Sequence, residues 1–417
     1  RHFAKRFIAT HYQKWAANST VTSGVVDPAG RNRMGRLPEG RITAMRIPGR
    51  ERAKGQVMRP TRLVGSIAGV MLACQAFSTA ATALAQDRAA PVVDRTVLPY
   101  ATTRDSARLP DGRTIHLVCM GQGSPVVLLT AGGSGWSISW AKVQPAVAAR
   151  TRVCSWDPAG LGLSSPSPQP QTSDVMTSDL QAALKARGID GPYVVVGHSL
   201  GAYVSLILAD RRRKSVVGMV LVDPALPDQT AIFDRVTPAQ NAWMKARPGP
   251  VPFLEKCAAP LRSGSVLPGG PDPDGCLRPP DWPPDWPSEF RAALNKNYVD
   301  ASPAATAAAI ATIASNMKSA DQDAKVVINP KRNYGAMPLI VLTASEFTSP
   351  PDYPDAAKAE IPAFEAEWRR GHDAYAALST RGVDRVVPNS SHEMPDEKPE
   401  VVIDAIDAVV DQARSRR

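Results

Sequence analysis

Cysteine is scarce in this sequence, with five in 417 residues, and no two of them form a CxxC pair. No cluster of histidine and cysteine has the spacing of a zinc site, so the sequence indicates no metal. The glycine-rich stretch TAGGSGW at residues 130–136 lacks the Gly-Lys-Ser/Thr ending of a phosphate-binding loop. These absences argue against a metalloenzyme and against a P-loop protein, and we expect no cofactor.

A long, uninterrupted apolar run is also missing. The apolar stretch at residues 63–83 contains side chains that make it too polar for a good membrane span: Ser66, Gln75, Ser78, Thr79 and Thr82. It follows the basic segment MRPTR (58–62) and precedes an A-x-A cleavage pattern at residues 83–85. This layout predicts a signal peptide over residues 58–85 and an exported protein, periplasmic or secreted, with no stable membrane span after cleavage. An uncleaved anchor and a lipoprotein attached at Cys74 are the alternatives.

The formal net charge of +10 belongs to this leader. Residues 1–85 carry 14 Lys and Arg against 3 Asp and Glu, whereas the rest of the chain carries 35 against 36. The predicted mature protein therefore gives no electrostatic reason to expect nucleic acid as a partner. Residues 1–57 are rich in Arg, Gly and Pro and show no sustained periodicity, and we predict a basic, disordered upstream extension.

Export changes the expected state of the cysteines. Four remain after cleavage, and an oxidising compartment permits two disulfides. The spacing favours a bond between Cys257 and Cys276, which would close a loop rich in proline and glycine. Cys119 and Cys154 lie in apolar, strand-like runs, so buried free thiols are the alternative for this pair.

Strands and helices alternate along the mature chain. Short apolar runs such as PVVLLTA (125–131) and SVVGMVLVD (215–223) are separated by amphipathic stretches, which predicts a parallel sheet covered by helices on both faces. The alternation stops over residues 225–330, where proline is too dense for sheet. We predict a core formed by residues 86–224 and 331–417, with an inserted lid or cap at 225–330.

The cap carries large apolar side chains that we expect to pack either on the core or as a wall over the active-site mouth. They are Phe253, Leu254, Leu267, Trp282 and Trp286. We expect no regular element of the proline-rich segment to bury them, and the wall would favour apolar ester substrates.

A serine stands between two glycines where a strand must become a helix, in GPYVVVGHSLGAYVSLILAD (191–210). Gly197 and Gly201 occupy positions where a Cβ would clash in a tight turn, and the turn would hold Ser199 in a strained conformation with an exposed hydroxyl. Packing of small residues is the other explanation of the motif. Its place between a β-branched run and an apolar helix favours Ser199 as a nucleophile.

A serine hydroxyl needs a base, and His392 is the best candidate among six histidines. It follows the last predicted strand in the polar loop PNSSHEMPDEKP, where it can overhang the edge of the sheet. The other five are less suitable: His2 and His11 lie in the leader, His116 lies inside an early strand, His198 is fixed by the turn, and His372 lies in a helical stretch as a surface or cap-facing residue.

The imidazole needs an acidic partner, and two positions offer one. Asp223 ends the strand MVLVD, whereas Glu346 follows the strand PLIVLTAS within a proline-broken loop. We prefer Asp223 because a strand end fixes its position. A turn or helix-capping role is the alternative for Asp223.

Two backbone amides must stabilise the charge that develops on the substrate oxygen. Leu200 directly follows the nucleophile and supplies one of them. The second is predicted to come from Gly133 in the glycine-rich turn TAGGSGW.

Taken together, the motifs resemble the α/β-hydrolase superfamily and its bacterial members. They occur in this order: RVCSWDPAGLGLSSPSP, GPYVVVGHSLG, MVLVDPALPD and SSHEMPDEKPEVVIDAI. The resemblance implies an eight-stranded, mostly parallel sheet, a lid inserted after strand six, and a serine–acid–histidine triad in chain order. It also implies Ser199 as nucleophile, His392 as base, and Gly133 and Leu200 as the oxyanion hole.

The sequence departs from this family at two places. Ala131-Gly132 replaces the His-Gly that many members have at the oxyanion turn, and Phe347 stands where many have an acid after strand seven. The second departure favours Asp223 as the acid. We expect a secreted serine hydrolase of carboxylic esters that works through an acyl-enzyme. An aminopeptidase similar to proline iminopeptidases and a non-catalytic binding protein on the same scaffold are the alternatives, and no oligomeric state is indicated.

Overall fold

The computed structural model describes residues 93–246, 251–277, 282–298, 302–347 and 349–415. The predicted extension (1–57) and signal peptide (58–85), with Cys74, lie outside these residues and stay predictions. Within the described part of the chain, no helix is long and apolar enough to cross a membrane.

A seven-stranded sheet forms the centre of the molecule, and a separate two-stranded hairpin precedes it. The hairpin consists of β1 (Ala107–Arg108) and β2 (Thr114–Ile115). The strands of the main sheet are β3 (Leu117–Met120), β4 (Val126–Thr130), β5 (Val153–Trp156), β6 (Tyr193–His198), β7 (Val216–Val222), β8 (Leu339–Ala344) and β9 (Gly382–Val387). Their spatial order is β3-β5-β4-β6-β7-β8-β9, and only β3 runs antiparallel to its neighbour.

The mostly parallel sheet is confirmed, but the described main sheet has seven strands where the sequence predicted eight. His116 separates β2 from β3 and diverts the backbone. Its amide donates to Ser164 Oγ at 2.8 Å, and its carbonyl accepts from the Asp157 amide at 2.9 Å. The strand β1 pairs with β2 alone and stays outside the main sheet.

Helices cover both faces of the sheet, and others form the segment between β7 and β8. Flanking the sheet are α1 (Gln144–Ala148), α2 (Ser173–Ala186), α3 (Gly201–Arg211), α11 (Ile361–Ala376), α12 (Met394–Glu397) and α13 (Pro399–Arg414). Between β7 and β8 lie α4 (Gln229–Val236), α5 (Pro238–Lys245), α6 (Val251–Ser263), α7 (Ser288–Tyr298), α8 (Pro303–Gln322) and α9 (Ala324–Val327), and α10 (Asp355–Lys358) follows β8.

The central strand β6 is buried along its whole length, and its valines alternate between the two faces. Val194 and Val196 pack in the cluster that includes α1 and α13, whereas Val195 packs in the cluster that includes α2 and α3. This two-sided burial explains why the strand is continuously apolar. The end of β6 and the residues that follow it therefore lie at an edge of the sheet, between the two layers of helices.

The segment between β7 and β8 is more regular than the sequence suggested. Its helices α6 and α8 form a small core of their own around Cys257, Leu261 and Ile310, against which Phe253 and Leu254 pack. The expectation that these apolar side chains lack a regular element is therefore wrong. Proline misled the prediction because two of the helices begin with it, a position where its missing amide costs no hydrogen bond.

Two disulfides are present. Cys257 bonds Cys276, as the spacing predicted, and Cys119 bonds Cys154. Cys119 and Cys154 are directly opposed in the antiparallel pair β3–β5, with Cα atoms 4.1 Å apart. The alternative of buried free thiols for this pair is therefore wrong.

Removing the Cys257–Cys276 bond should loosen the cap without unfolding the core. The bond joins α6 to a following turn inside the cap's own apolar cluster, and losing it should cost about 2–4 kcal/mol of local stability. In limited proteolysis, the variant with both cysteines replaced by alanine should be cut first within residues 251–277. The matched variant lacking Cys119–Cys154 should not be cut there. Equal cleavage of cap and core in the first variant would contradict this expectation.

Candidate active site

Ser199 lies in a strained turn between β6 and α3. Its φ is 52°, a left-handed conformation that non-glycine residues rarely adopt. A Cβ on Gly197 would lie 2.4 Å from the Gly201 carbonyl oxygen, and one on Gly201 would lie 2.4 Å from the Thr130 carbonyl oxygen. Both flanking positions therefore require glycine, and the turn is the tight strand-to-helix connection that the motif predicted.

The glycine-rich turn after β4 lies against Ser199 and Leu200. A Cβ on Gly132 would come within 3.0 Å of the Ser199 Cβ, and one on Gly133 within 2.7 Å of the Leu200 side chain. The structure thus brings the two predicted oxyanion residues next to each other, beside the serine turn. Asn316 of α8 holds the next residue of this turn, since its Oδ1 accepts from the Ser134 amide at 3.0 Å.

His392 and Asp223 are joined directly. The imidazole Nδ1 lies 2.6 Å from Asp223 Oδ2, although the two residues are 169 positions apart in the chain. Asp223 is 3% exposed at the end of β7, whereas the His392 side chain is 42% exposed in the loop after β9. The buried carboxylate accepts a hydrogen bond from Nδ1–H. In the neutral ring Nε2 therefore carries no proton and can accept one.

The Asp223 carboxylate is held by two further donors. Its Oδ1 accepts from the Ala344 amide at 2.9 Å and from the Trp368 indole at 3.0 Å. Burial opposes the charged carboxylate, but the bond to His392, the nearby imidazoles and the Ala344 amide together lower the pKa of Asp223. Burial likewise opposes the imidazolium, but the bond to Asp223 and its charge raise the pKa of His392.

His198 contacts His392 through a hydrogen bond and through its ring. Its Nε2 donates to the His392 carbonyl at 2.8 Å, and the two ring centroids are 4.8 Å apart. Burial and the neighbouring His392 charge lower the pKa of His198 to about 3, so this ring is neutral. Sequence reasoning set His198 aside because it cannot reach back over Ser199, and its contact with His392 was missed.

Glu346, the other candidate acid, is exposed to solvent. Its amide donates to the Ser390 carbonyl at 3.1 Å, which ties the loop after β8 to the loop that carries His392. Of the two acids, Asp223 is the one whose carboxylate meets the imidazole.

The remaining described histidines are both buried. His116 bonds Asp157 at 2.7 Å inside the core, in agreement with a structural role. His372 is fully buried beside Asp223, so its interpretation as a surface or cap-facing residue is wrong. The signal that could have found it is helical spacing, because Trp368, His372 and Tyr375 fall on one face of α11.

The cap tryptophans pack against other aromatic side chains. Trp286 is 7% exposed and lies in a cluster with Tyr100, Trp136 and Phe290. Trp282 stacks on Trp286 with ring centroids 6.2 Å apart. These contacts favour the anchoring role. Leu267 was also expected in the wall over the active-site mouth, and its side chain is instead 52% exposed.

A family model described as the alpha/beta hydrolase family matches residues 126–405, which is more than half of the chain. The chain belongs to the alpha/beta hydrolase family. The match covers the sheet from β4 to β9 together with the inserted helices. The superfamily resemblance that the motifs indicated is therefore confirmed.

Individual relatives match over shorter stretches. The uncharacterized protein YqjL of Bacillus subtilis strain 168 is 32% identical over 119 residues, which are 28% of this chain and 47% of YqjL. The lipase LipV of Mycobacterium tuberculosis is 48% identical over 62 residues, which are 15% of this chain and 23% of LipV. The chain therefore spans at most about half the length of these relatives. Among solved structures, the epoxide hydrolase CorEH has a TM-score of 0.43 at 21% identity and covers 72% of this chain and 95% of CorEH.

Proposed function

We propose that this protein is a serine hydrolase that cleaves carboxylic esters through an acyl-enzyme. Ser199 is the nucleophile, His392 the general base and Asp223 the orienting acid, with the amides of Gly133 and Leu200 as the oxyanion hole. The observation that carries the proposal is the 2.6 Å bond between His392 and the buried Asp223, at the sheet edge where the strained Ser199 turn lies. No metal or cofactor takes part.

The reaction has two steps, acylation of Ser199 and hydrolysis of the acyl-enzyme. His392 Nε2 removes the Ser199 proton as Oγ attacks the ester carbon, and it then gives that proton to the departing alcohol oxygen. Water next attacks the acyl-enzyme while Nε2 accepts its proton, and the proton returns to Ser199 as the acid leaves. The oxyanion is held at both stages by the two amides. A contact between Ser199 Oγ and Nε2 is needed, and such contacts tighten when substrate binds.

An aromatic surface beside His392 supports an apolar ester as substrate. Trp368 meets the imidazole edge-on at 6.4 Å between ring centroids, and Phe364 stacks on Trp368 at 5.4 Å. Phe233 of the cap contacts Phe364 at 5.1 Å. Trp368 contacts the imidazole itself, and the two phenylalanines extend this partly exposed surface further from it. Such a surface would gain free energy by covering an acyl or alcohol chain.

A fluorophosphonate probe tests the proposed function. The probe should label the protein once, and peptide mapping should place the label on Ser199. A parallel panel of esters and aminoacyl amides should show turnover of esters. Turnover of aminoacyl amides alone would favour the aminopeptidase alternative, and absent labelling would favour the binding protein.

Replacing Phe364 with alanine should raise KM for bulky apolar esters about tenfold, or about 1.4 kcal/mol, because part of the apolar surface beside His392 is lost. KM for acetyl esters should change little. The matched variant Trp286→Ala should instead lower stability by about 3–5 kcal/mol and affect large and small esters alike, since Trp286 is buried in the anchoring cluster. Equal KM changes for both ester classes in Phe364→Ala would contradict the aromatic subsite.

A further inference from the structure

One face of α11 holds the turn that carries the acid. Trp368, His372 and Tyr375 are spaced i, i+4 and i+7, so they lie on the same side of the helix. Each bonds one of three successive residues at 223–225. The Trp368 indole donates to the Asp223 carboxylate at 3.0 Å, His372 Nε2 donates to the next carbonyl at 2.9 Å, and the Tyr375 hydroxyl donates to the following carbonyl at 2.7 Å.

The turn needs such support because its backbone is strained. Asp223 has a φ of 41°, and a non-glycine residue in that region costs about 1–3 kcal/mol. The turn is also tied to the nucleophile, since the Ala225 amide donates to the Ser199 carbonyl at 3.1 Å. The face of α11 therefore sets the position of the acid relative to the serine turn.

The two oxygens of the carboxylate are used differently. Oδ1 accepts from the Trp368 indole and the Ala344 amide, which leaves Oδ2 for His392. A hydrogen bond from an N–H group draws negative charge toward itself and fixes the carboxylate plane. Trp368 is the only one of the three α11 residues that bonds the carboxylate itself.

We propose that Trp368 is a positioning residue, whose indole N–H fixes the Asp223 carboxylate and moderates its attraction for the proton on His392. The inference rests on the proposed function, because it assigns Trp368 a role that acts through the triad. His372 and Tyr375 hold the backbone of the same turn.

Several other titratable groups face the Asp223–His392 pair. They are His198 at the end of β6, Glu393 in the loop of His392, His372 on α11 at 4.0 Å from Asp223, and Asp384 on β9, which shares Thr343 with His372. Of these groups, His372 also contacts the Trp368 ring, with ring centroids 5.1 Å apart. A shift in the titration of His392 without a matching shift at His372 is therefore the sign of the lost indole bond.

The variant Trp368→Phe removes the N–H group and keeps an aromatic ring. With an acetyl ester, which is too small to cover the aromatic surface, we expect kcat to fall about tenfold with KM within about twofold, because the lost bond orients the acid rather than the substrate. Without the indole N–H, more negative charge remains on the carboxylate, so the pKa of His392 should rise. Since the base must be neutral, the acid limb of kcat/KM should move up by about half a pH unit.

Two controls separate positioning from packing. Trp156→Phe removes a buried indole donor of the same kind, which bonds the neutral Thr130 hydroxyl at 3.1 Å, and it should change stability without moving the acid limb. In the Asp223→Asn background, Trp368→Phe should cost little further activity if it acts through Asp223. Full additivity of the two losses would overturn the proposal.

NMR titration of the His392 ring measures the effect of the hydrogen bond between Trp368 and Asp223 without requiring ester turnover. Trp368→Phe should raise the pKa of His392 relative to the parent protein. An unchanged pKa together with unchanged kcat would overturn the positioning role even if Ser199 proves to be the nucleophile. Conversely, absent fluorophosphonate labelling with a shifted His392 titration would reject the proposed function and keep the Trp368 contact.

Discussion

Replacing Ser199 with alanine is expected to lower kcat for ester hydrolysis by about five to six orders of magnitude, because the nucleophile, base and acid act as a unit. His392→Ala should lose about as much, and the double variant little more. Residual turnover would come from the oxyanion amides and substrate binding alone. Single-turnover kinetics with an activated ester measures the loss.

The matched control is Ser345→Ala, at the same edge of the sheet. Its hydroxyl accepts from the Ser390 amide at 3.4 Å and meets neither His392 nor Asp223 in the described structure. Ser345→Ala should keep most of the activity, and circular dichroism should show that all variants fold. Near-parental turnover in either Ser199→Ala or His392→Ala would show that the triad assignment is wrong.

Local sequence was sufficient to predict the turn at Ser199 and the strand ends that carry Asp223 and His392. The glycine positions follow from steric clashes within a few residues. A buried parallel strand is continuously apolar, so the end of the apolar run marks the end of the strand. Placement at the carboxyl edge of one sheet then brings together residues that are distant in the chain. The sequence therefore predicted that Asp223 and His392 meet, without giving the further hydrogen bonds of the carboxylate.

Pairing between strands could not be predicted in the same way. Cys119 and Cys154 bond because the antiparallel register of β3 and β5 places them opposite each other, and register depends on tertiary packing. The hairpin strand β1 has only two residues, and its separation from the main sheet depends on the contact between His116 and Ser164. Neither the pairing of the two cysteines nor the separation of the hairpin from the main sheet produces a periodic pattern in the sequence.

The polar neighbours of the acid were missed for a related reason. His372 is a polar residue in an amphipathic helix, and such a residue usually faces solvent. Here its two nitrogens meet the Pro224 carbonyl and the Thr343 hydroxyl, so burial costs little. Those partners come from β7 and β8, and only the folded sheet brings them to α11.

The acid is expected to be Asp223, and Asp223→Asn should lower kcat by about four orders of magnitude. The Ala344 amide and the Trp368 indole both donate, so they should hold the oxygen of the new amide. The amide NH₂ group would then face His392 Nδ1. The imidazole would have to accept at Nδ1 and carry its proton on Nε2, where it cannot take the proton of Ser199.

Glu346→Gln is the control for this change, because it makes the same carboxylate-to-amide replacement on an exposed side chain. It should leave kcat within about twofold of the parent. The pH profile adds a second readout: Asp223 raises the pKa of His392, so residual activity in Asp223→Asn should extend to lower pH, whereas the profile of Glu346→Gln should not move. Loss of activity in Glu346→Gln with near-parental activity in Asp223→Asn would transfer the acid to the loop after β8. The buried bond between Asp223 and His392 would then have only a structural role. In that case Asp223→Asn should lower the free energy of unfolding without lowering kcat.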